Sequence, residues 1–218
     1  MATNRVVIIG GKGTAINIAE QIDHAHRRHQ SPLIVEGFAI DDKSLGNSIA
    51  GFPVVCEVHE AWLKYKDTSV GFIFALYRPD TMEHRVNMLR QLGIPTERFM
   101  NFVHPTAYVS SSAEIGYGNV ILSHATLQHK TRLGNNNIVN SNVIVEHEST
   151  LNNSTFIASG ACIGARVVVG DGVFIGLSAV LREDVEVGDF AFVGMSAVVL
   201  ENVAARTLIY GAPAKRKS

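Results

Sequence analysis

From Val103 to Val199 an aliphatic residue recurs at every sixth position without a break: Val103, Val109, Ile115, Ile121, Leu127, Leu133, Val139, Val145, Leu151, Ile157, Ile163, Val169, Ile175, Leu181, Val187, Val193 and Val199. A spacing of six matches neither an amphipathic helix, whose apolar face returns about every 3.6 residues, nor a two-sided strand, with a period of about 2. It predicts a parallel β-helix of hexapeptide repeats. Each hexad supplies one short strand and one corner, and the stacked coils bury a continuous core. A second register runs four residues behind the first, where the side chain is usually small: Ala107, Ala113, Ala125, Thr131, Ser149, Thr155, Ala161, Ala179, Ala191 and Ala197. Small side chains there let the backbone turn inside a narrow triangular prism already filled by the ladder. Gly follows the ladder residue at Gly116, Gly134, Gly164, Gly170, Gly176, Gly188 and Gly194, where the expectation is a corner with φ > 0. Three hexads per turn give about five to six coils, with no long loop inserted.

Upstream the period changes. A short apolar strand over 6–9 runs into Gly10-Gly11-Lys12-Gly13-Thr14-Ala15, and a helical pattern then places Ala15, Ile18, Ala19 and Ile22 on one face. A second strand is expected over 33–40, ending in Asp41-Asp42, and a third over 70–76, followed by a helix over about 80–92. Strand, glycine turn, helix, strand and acidic residue make a βαβ unit and a small parallel sheet. The fold class is therefore α/β + β: a small Rossmann-like βαβ N-terminal domain over 1–102, followed by a β-helix domain with a C-terminal tail over 103–218. The segment 92–105, punctuated by Pro95 and Pro105, links the two. Glycines at the first turn let backbone N–H groups approach a phosphate, and the helix start favours an anion. Asp41 and Asp42 sit where a ribose or base could be hydrogen-bonded. The glycine spacing is not the full dinucleotide fingerprint, and a plain tight turn gives the same pattern.

A net charge of −1 points to neither nucleic acid nor an anionic membrane as partner. With no run of eighteen apolar residues and no signal-peptide pattern, the expectation is a cytoplasmic protein without membrane insertion. Cys56 and Cys162 lie far apart and show no Cys/His metal spacing, so the reading is two plain buried thiols and no metal.

The combination resembles the bacterial sugar acyltransferases of the PglD/NeuD type, nucleotide-amino-sugar N-acetyltransferases and related O-acetyltransferases of the hexapeptide-repeat class. The resemblance covers essentially the whole chain. It rests on Ile8-Ile9-Gly10-Gly11-Lys12-Gly13, Ile40-Asp41-Asp42, Val103-His104-Pro105-Thr106-Ala107, Ile144-Val145-Glu146-His147-Glu148 and Tyr210-Gly211-Ala212-Pro213-Ala214-Lys215. It implies a left-handed β-helix, a homotrimer with the active site between neighbouring β-helices, and acetyl-CoA as co-substrate along the side walls. It further implies a nucleotide-linked amino sugar held by the N-terminal domain for surface polysaccharide synthesis. On this resemblance His147 is the catalytic base and Glu148 orients it. Gly10, Gly11, Lys12, Gly13, Asp41, Asp42 and Asn140 serve the sugar nucleotide. Phe156, Ala165, Leu177, Gly194, Met195 and Lys215 serve the CoA thioester, with Arg216 and Lys217 near its phosphates.

Acyl transfer from a thioester to an amine needs a proton acceptor, a stabilised oxyanion and a departing thiolate. An imidazole, ordinarily titrating near neutral pH, serves the first, a neighbouring carboxylate fixes its tautomer, and backbone N–H groups serve the oxyanion. His147 lies two residues after a ladder position, so its side chain is expected outward at a corner. Of the other histidines, His124 and His129 read as wall or trimer contacts and His104 as structural. His24, His26 and His29 read with Arg27 and Arg28 as the solvated end of the first helix. Two positions depart from the family pattern. Phe156 stands where a second histidine often contacts the thioester, and Thr14 where the glycine turn commonly continues in histidine. They leave room for a sugar O-acetyltransferase of the sialic-acid type or a catalytically weak nucleotide-sugar scaffold.

Overall fold

The computed structural model describes residues 4–216. The N-terminal region contains β1 (Asn4–Ile9), α1 (Thr14–His29), β2 (Leu33–Ala39), β3 (Ser48–Ile49), β4 (Phe52–Cys56), α2 (Ala61–Tyr65), β5 (Gly71–Phe74) and α3 (Met82–Gln91). Its sheet has the order β3-β4-β2-β1-β5, parallel from β4 to β5, with β3 antiparallel at the edge. Val6, Val7, Ile8 and Ile9 are fully buried because β1 is central and covered on both faces, which requires an unbroken apolar run. Ala15, Ile18, Ala19 and Ile22 are buried as the helical spacing predicts.

The β3–β4 hairpin was not legible in the sequence. Its turn residues Ala50 and Gly51 both take positive φ, and β4 is an edge-side strand of half-buried residues interrupted by Pro53. Alternation is too weak there to register as a strand. The strand expected third, over 70–76, is the fifth in chain order.

From Phe102 onward the chain winds as a left-handed parallel β-helix, with two-residue strands stacked eighteen residues apart on three faces, save the last, three-residue strand, which pairs Leu208 with Phe192 sixteen residues before it. The first face carries Tyr108–Val109, Thr126–Leu127, Ile144–Val145, Cys162–Ile163, Val180–Leu181 and Val198–Val199. The second carries Glu114–Ile115, Arg132–Leu133, Thr150–Leu151, Val168–Val169 and Glu186–Val187. The third runs from Phe102–Val103 through Val120–Ile121, Ile138–Val139, Phe156–Ile157, Phe174–Ile175 and Phe192–Val193 to Leu208–Tyr210. Ladder residues from Ile121 to Val199 are no more than 4% exposed. Val103, at 39%, and the half-buried Val109 and Ile115 are exceptions, because the first coil has no neighbour beneath it.

The small-residue register behaves as expected; Ala125, Thr131, Ser149, Thr155, Ala161 and Ala179 are fully buried. Two positions in that register hold asparagines, and they form an internal ladder. Asn137 Nδ2 donates to Asn119 Oδ1 at 2.9 Å, and Thr155 N donates to Asn137 Oδ1 at 2.8 Å. Side-chain amides buried in this way are retained because each is hydrogen-bonded.

The glycine expectation is corrected. Gly116, Gly134, Gly164, Gly170, Gly176, Gly188 and Gly194 are not among the positive-φ residues. They are glycine because the next coil lies against them. A Cβ at Gly176 would come 2.6 Å from Met195 N, and one at Gly164 would come 2.6 Å from Glu183 N. The left-handed conformation falls instead three residues after the ladder. His124, Lys130, Asn136, Asn142, Glu148, Ser154, Arg166, Ser178, Asp184, Phe190 and Ser196 have φ between 54 and 61°.

The N-terminal domain packs on the third face, and its core continues onto Val120, Leu122, Ile138, Phe156 and Ala158. Polar ties fix the junction. Tyr77 Oη donates to Asn136 O at 2.8 Å, and Gln21 Oε1 accepts from Ser123 N at 2.9 Å.

Candidate functional site

Three places hold the residues expected to do chemistry. The first is a cavity of about 470 Å³ at the carboxyl ends of β1, β2 and β5, lined by Gly10, Gly11, Lys12, Gly13, Thr14, Asp41 and Asp42. In open parallel sheets this is where ligands bind. Gly11 is buried against Ile40 and Ile49, whose atoms lie 2.6 and 2.9 Å from where its Cβ would be. Gly13 caps α1 at φ 50° and brings no side chain to cap it; Ala15 N donates to Lys12 O at 3.1 Å, and no side chain caps the first turn. Lys12 Nζ donates to Asp42 Oδ2 at 2.7 Å; that bond, with Ser44, holds the Asp42 carboxyl at about 2. Asp41 Oδ1 accepts from Val58 N at 2.8 Å. The cavity also recruits Tyr77, Arg78, Arg85 and Met88. These four carry no sequence spacing signal; the rule that sites gather at strand carboxyl ends could have found Tyr77 and Arg78, just beyond β5.

The second is an apolar groove of about 380 Å³, lined by Thr14, Pro79, Asn140, Phe156, Ser159, Phe174, Leu177, Phe192 and Met195 among others. It brings together four residues expected at the site, Asn140, Phe156, Leu177 and Met195. Asn140 is buried, with Nδ2 donating to Ile157 O at 2.8 Å. Phe156 and Phe174 stack with centroids 4.7 Å apart and planes 5° from parallel, and Phe192 meets Phe174 edge-on at 5.3 Å. Thr14 lines both cavities, so the groove continues from the glycine turn.

The third is the corner that carries His147. Its Nδ1 lies 3.2 Å from Glu148 Oε2, both side chains are roughly half exposed, and Glu148 adopts the left-handed corner conformation. Coils stack at this corner: Glu148 N donates to His129 O, and Arg166 N donates to His147 O. His129 and Ala165 therefore lie directly below and above His147. Leu177 and Met195 belong to another corner, between the third and first faces, and Phe156 lies on the third face beside it. Within one chain the whole first face separates His147 from the groove.

Gly194 is buried on the third face against Tyr210, and Lys215 is exposed on a short antiparallel strand, Lys215–Arg216, at the top of the prism. Lys215 lines neither cavity, and Lys217 lies outside the described residues.

Neither cysteine is a fully buried thiol; both are partly buried. Burial still pushes each thiol upward, assisted at Cys162 by Glu146, so neither is an activated nucleophile. Among the described residues one group has metal-like spacing, Asp41 with Glu57 and His59. Its members already have partners, since Asp41 accepts from Val58 and Glu57 pairs with Lys43.

The end of α1 is not simply solvated. His24 Nδ1 lies 3.3 Å from His104 Nε2, and the rings stack at 5.5 Å. His104 is 3% exposed, and burial, with His24, His29 and His124 nearby, lowers its pKa. His104 is structural, as expected, and it fastens the two domains together.

No protein-family model and no curated protein sequence matches the chain. Solved structures do. A variant of perosamine N-acetyltransferase from Caulobacter crescentus, in complex with CoA and GDP-perosamine, superposes with TM-score 0.83 at 25% identity, covering 100% of this chain and 98% of that one. The acetyltransferase domain of PglB from Neisseria gonorrhoeae gives 0.82 at 25% identity, covering 99% and 100%. WeeI from Acinetobacter baumannii gives 0.81 at 20% identity, covering 99% and 100%, and speaks for the fold.

Proposed function

We propose that this protein, built throughout like the PglD/NeuD-type hexapeptide-repeat sugar acyltransferases, transfers an acetyl group from acetyl-CoA to the amine of a nucleotide-linked sugar. The observation that carries the reading is whole-chain superposition on an N-acetyltransferase holding CoA and GDP-perosamine. The chain's own geometry supports it, because the glycine-turn cavity opens through Thr14 into a groove of sugar dimensions. In this mechanism the amine attacks the thioester carbonyl directly as His147 takes its proton and Glu148 holds the ring. The tetrahedral intermediate then expels CoA as a thiolate, leaving the N-acetyl amide. The raised thiols of Cys56 and Cys162 favour this single transfer over an acyl-enzyme. No described helix is long and apolar enough to cross a membrane. We assign the reaction to the cytoplasm and to surface glycan synthesis.

The groove and His147 occupy different corners, so a site using both takes them from two chains. The first face supports such an assembly. Its outward column is Tyr108, Thr126, Ile144, Cys162, Val180 and Val198, of which Tyr108, Ile144 and Val180 are 57%, 39% and 43% exposed. Among the described residues nothing covers these three. A homotrimer packed on this face sets the His147 of one copy beside the groove of another.

The test is CoA release from acetyl-CoA with UDP-, dTDP- and GDP-linked amino sugars. Wild type turns over at least one of them, and His147→Ala loses about 10²–10⁴-fold in kcat with its melting temperature kept. Turnover that survives His147→Ala removes the histidine from the mechanism.

A further inference from the structure

We propose that Arg85 is the residue that holds the diphosphate of the nucleotide-linked substrate; this rests on the function proposed above. Three cations line the glycine-turn cavity: Lys12, Arg78 and Arg85. Two are already neutralised. Lys12 pairs with Asp42 at 2.7 Å, and Arg78 forms a two-pronged pair with Asp80 at 3.2 and 3.0 Å. Arg85 has no carboxylate partner among the described residues. Its Nε is buried with no hydrogen-bond partner, and its Nη1 reaches only the sulfur of Met88, at 3.7 Å. A buried guanidinium N–H without an acceptor is costly unless a ligand supplies one, and a forked guanidinium suits phosphate oxygens.

Sheet order gives the cavity a direction. Asp41 and Asp42 follow β2, the glycine turn follows β1, and Arg78 follows β5, with Arg85 on α3 beyond it. Carboxylates therefore stand on one side of the glycine turn and the arginines on the other. With Asp42 paired to Lys12 and Arg78 paired to Asp80, Arg85 is the cavity cation left to attract a diphosphate, so the nucleoside lies on the far side of the glycine turn, toward Asp41 and the apolar Ile40, Leu45 and Val58. The glycine turn, whose Gly13 brings no side-chain cap to α1, lies between the two ends. Beyond Arg78 comes Pro79, which with Thr14 begins the apolar groove. Nucleoside, diphosphate and sugar thus follow one another along a single path, and Arg85 stands where the diphosphate passes.

The experiment compares dissociation constants of GDP, UDP and dTDP with those of GMP, UMP and dTMP, for wild type, Arg85→Ala and Arg85→Lys, alongside unliganded melting. The Arg85→Ala variant is expected to bind the preferred diphosphate about 10- to 100-fold more weakly while monophosphate affinity changes little, so the diphosphate preference collapses. The Arg85→Lys variant keeps the charge but not the fork and falls between; it decides the matter if the alanine variant does not fold. Variants that keep the wild-type ratio of diphosphate to monophosphate affinity overturn the role of Arg85 and leave the transferase reading standing. A wild type that binds none of the three diphosphates overturns both.

Discussion

The first and second faces of the prism share the same inward ladder, the same strand length and the same eighteen-residue stacking, yet their outward columns differ in kind. On the second face the column is Glu114, Arg132, Thr150, Val168 and Glu186, with Arg132 paired to Glu114 at 3.4 Å. On the first it is an aliphatic and aromatic stripe, broken only by Thr126 and Cys162. The third face, also apolar outside, is covered by the N-terminal domain along Phe102, Val120, Ile138 and Phe156. The inward register builds the same prism on all sides. The outward register decides what each side meets: a domain on the third, solvent on the second, and on the first, by the account above, another copy. His147 stands on the corner where the apolar stripe ends and the charged face begins.

Substitutions can break this contrast in a graded series. A charge on the bare stripe, Ile144→Glu with Val180→Glu, is expected to have the largest effect. It dissociates the assembly in analytical ultracentrifugation and removes CoA release, since buried unpaired carboxylates are not tolerated at an interface. The same change at Val168, on the second face and 41% exposed, leaves the sedimentation coefficient and turnover near wild type. The smallest effect is expected for Arg132→Ala, which removes an exposed ion pair and shifts stability by about 0.5 kcal/mol or less in chemical denaturation. Equal sensitivity of the two faces would show that the stripe is not an interface.

The prism was legible because its signal is redundant. Seventeen ladder positions report one dimension of one repeating coil, and a mistake at Val103, uncovered at the end, changes nothing above it. The corner chemistry was less so. The glycines after the ladder were visible, but whether they answer to φ or to a neighbouring backbone depends on the stacking distance between coils. That distance is tertiary, and it decided for the neighbour. The left-handed corners fall on residues as unlike as Lys130, Phe190 and Glu148, so composition does not mark them.

The N-terminal domain shows the opposite case. β1 and α1 were readable from continuous burial and helical spacing, whereas β3 and β4 lie at an edge where burial is partial. Its site was half readable. The glycine turn and the acids of β2 carry a recognised order along the chain, but Arg85 joins them only through the fold. His24 and His104 meet across eighty residues of sequence, a pairing that no local pattern announces.

The most direct test of the central claim, that each site joins the cleft of one chain to the His147 of another, is complementation between two inactive variants. One is His147→Ala, with an intact cleft. The other is Thr14→Tyr, which fills the junction between the cavity and the groove but keeps His147. Each alone is expected to be inactive, while chains denatured together and refolded recover about a quarter of the wild-type CoA release, because random assembly in a symmetric ring pairs an intact cleft with an intact histidine that often. A mixture no more active than either variant alone would contradict the shared site and place His147 and the cleft at work within a single chain.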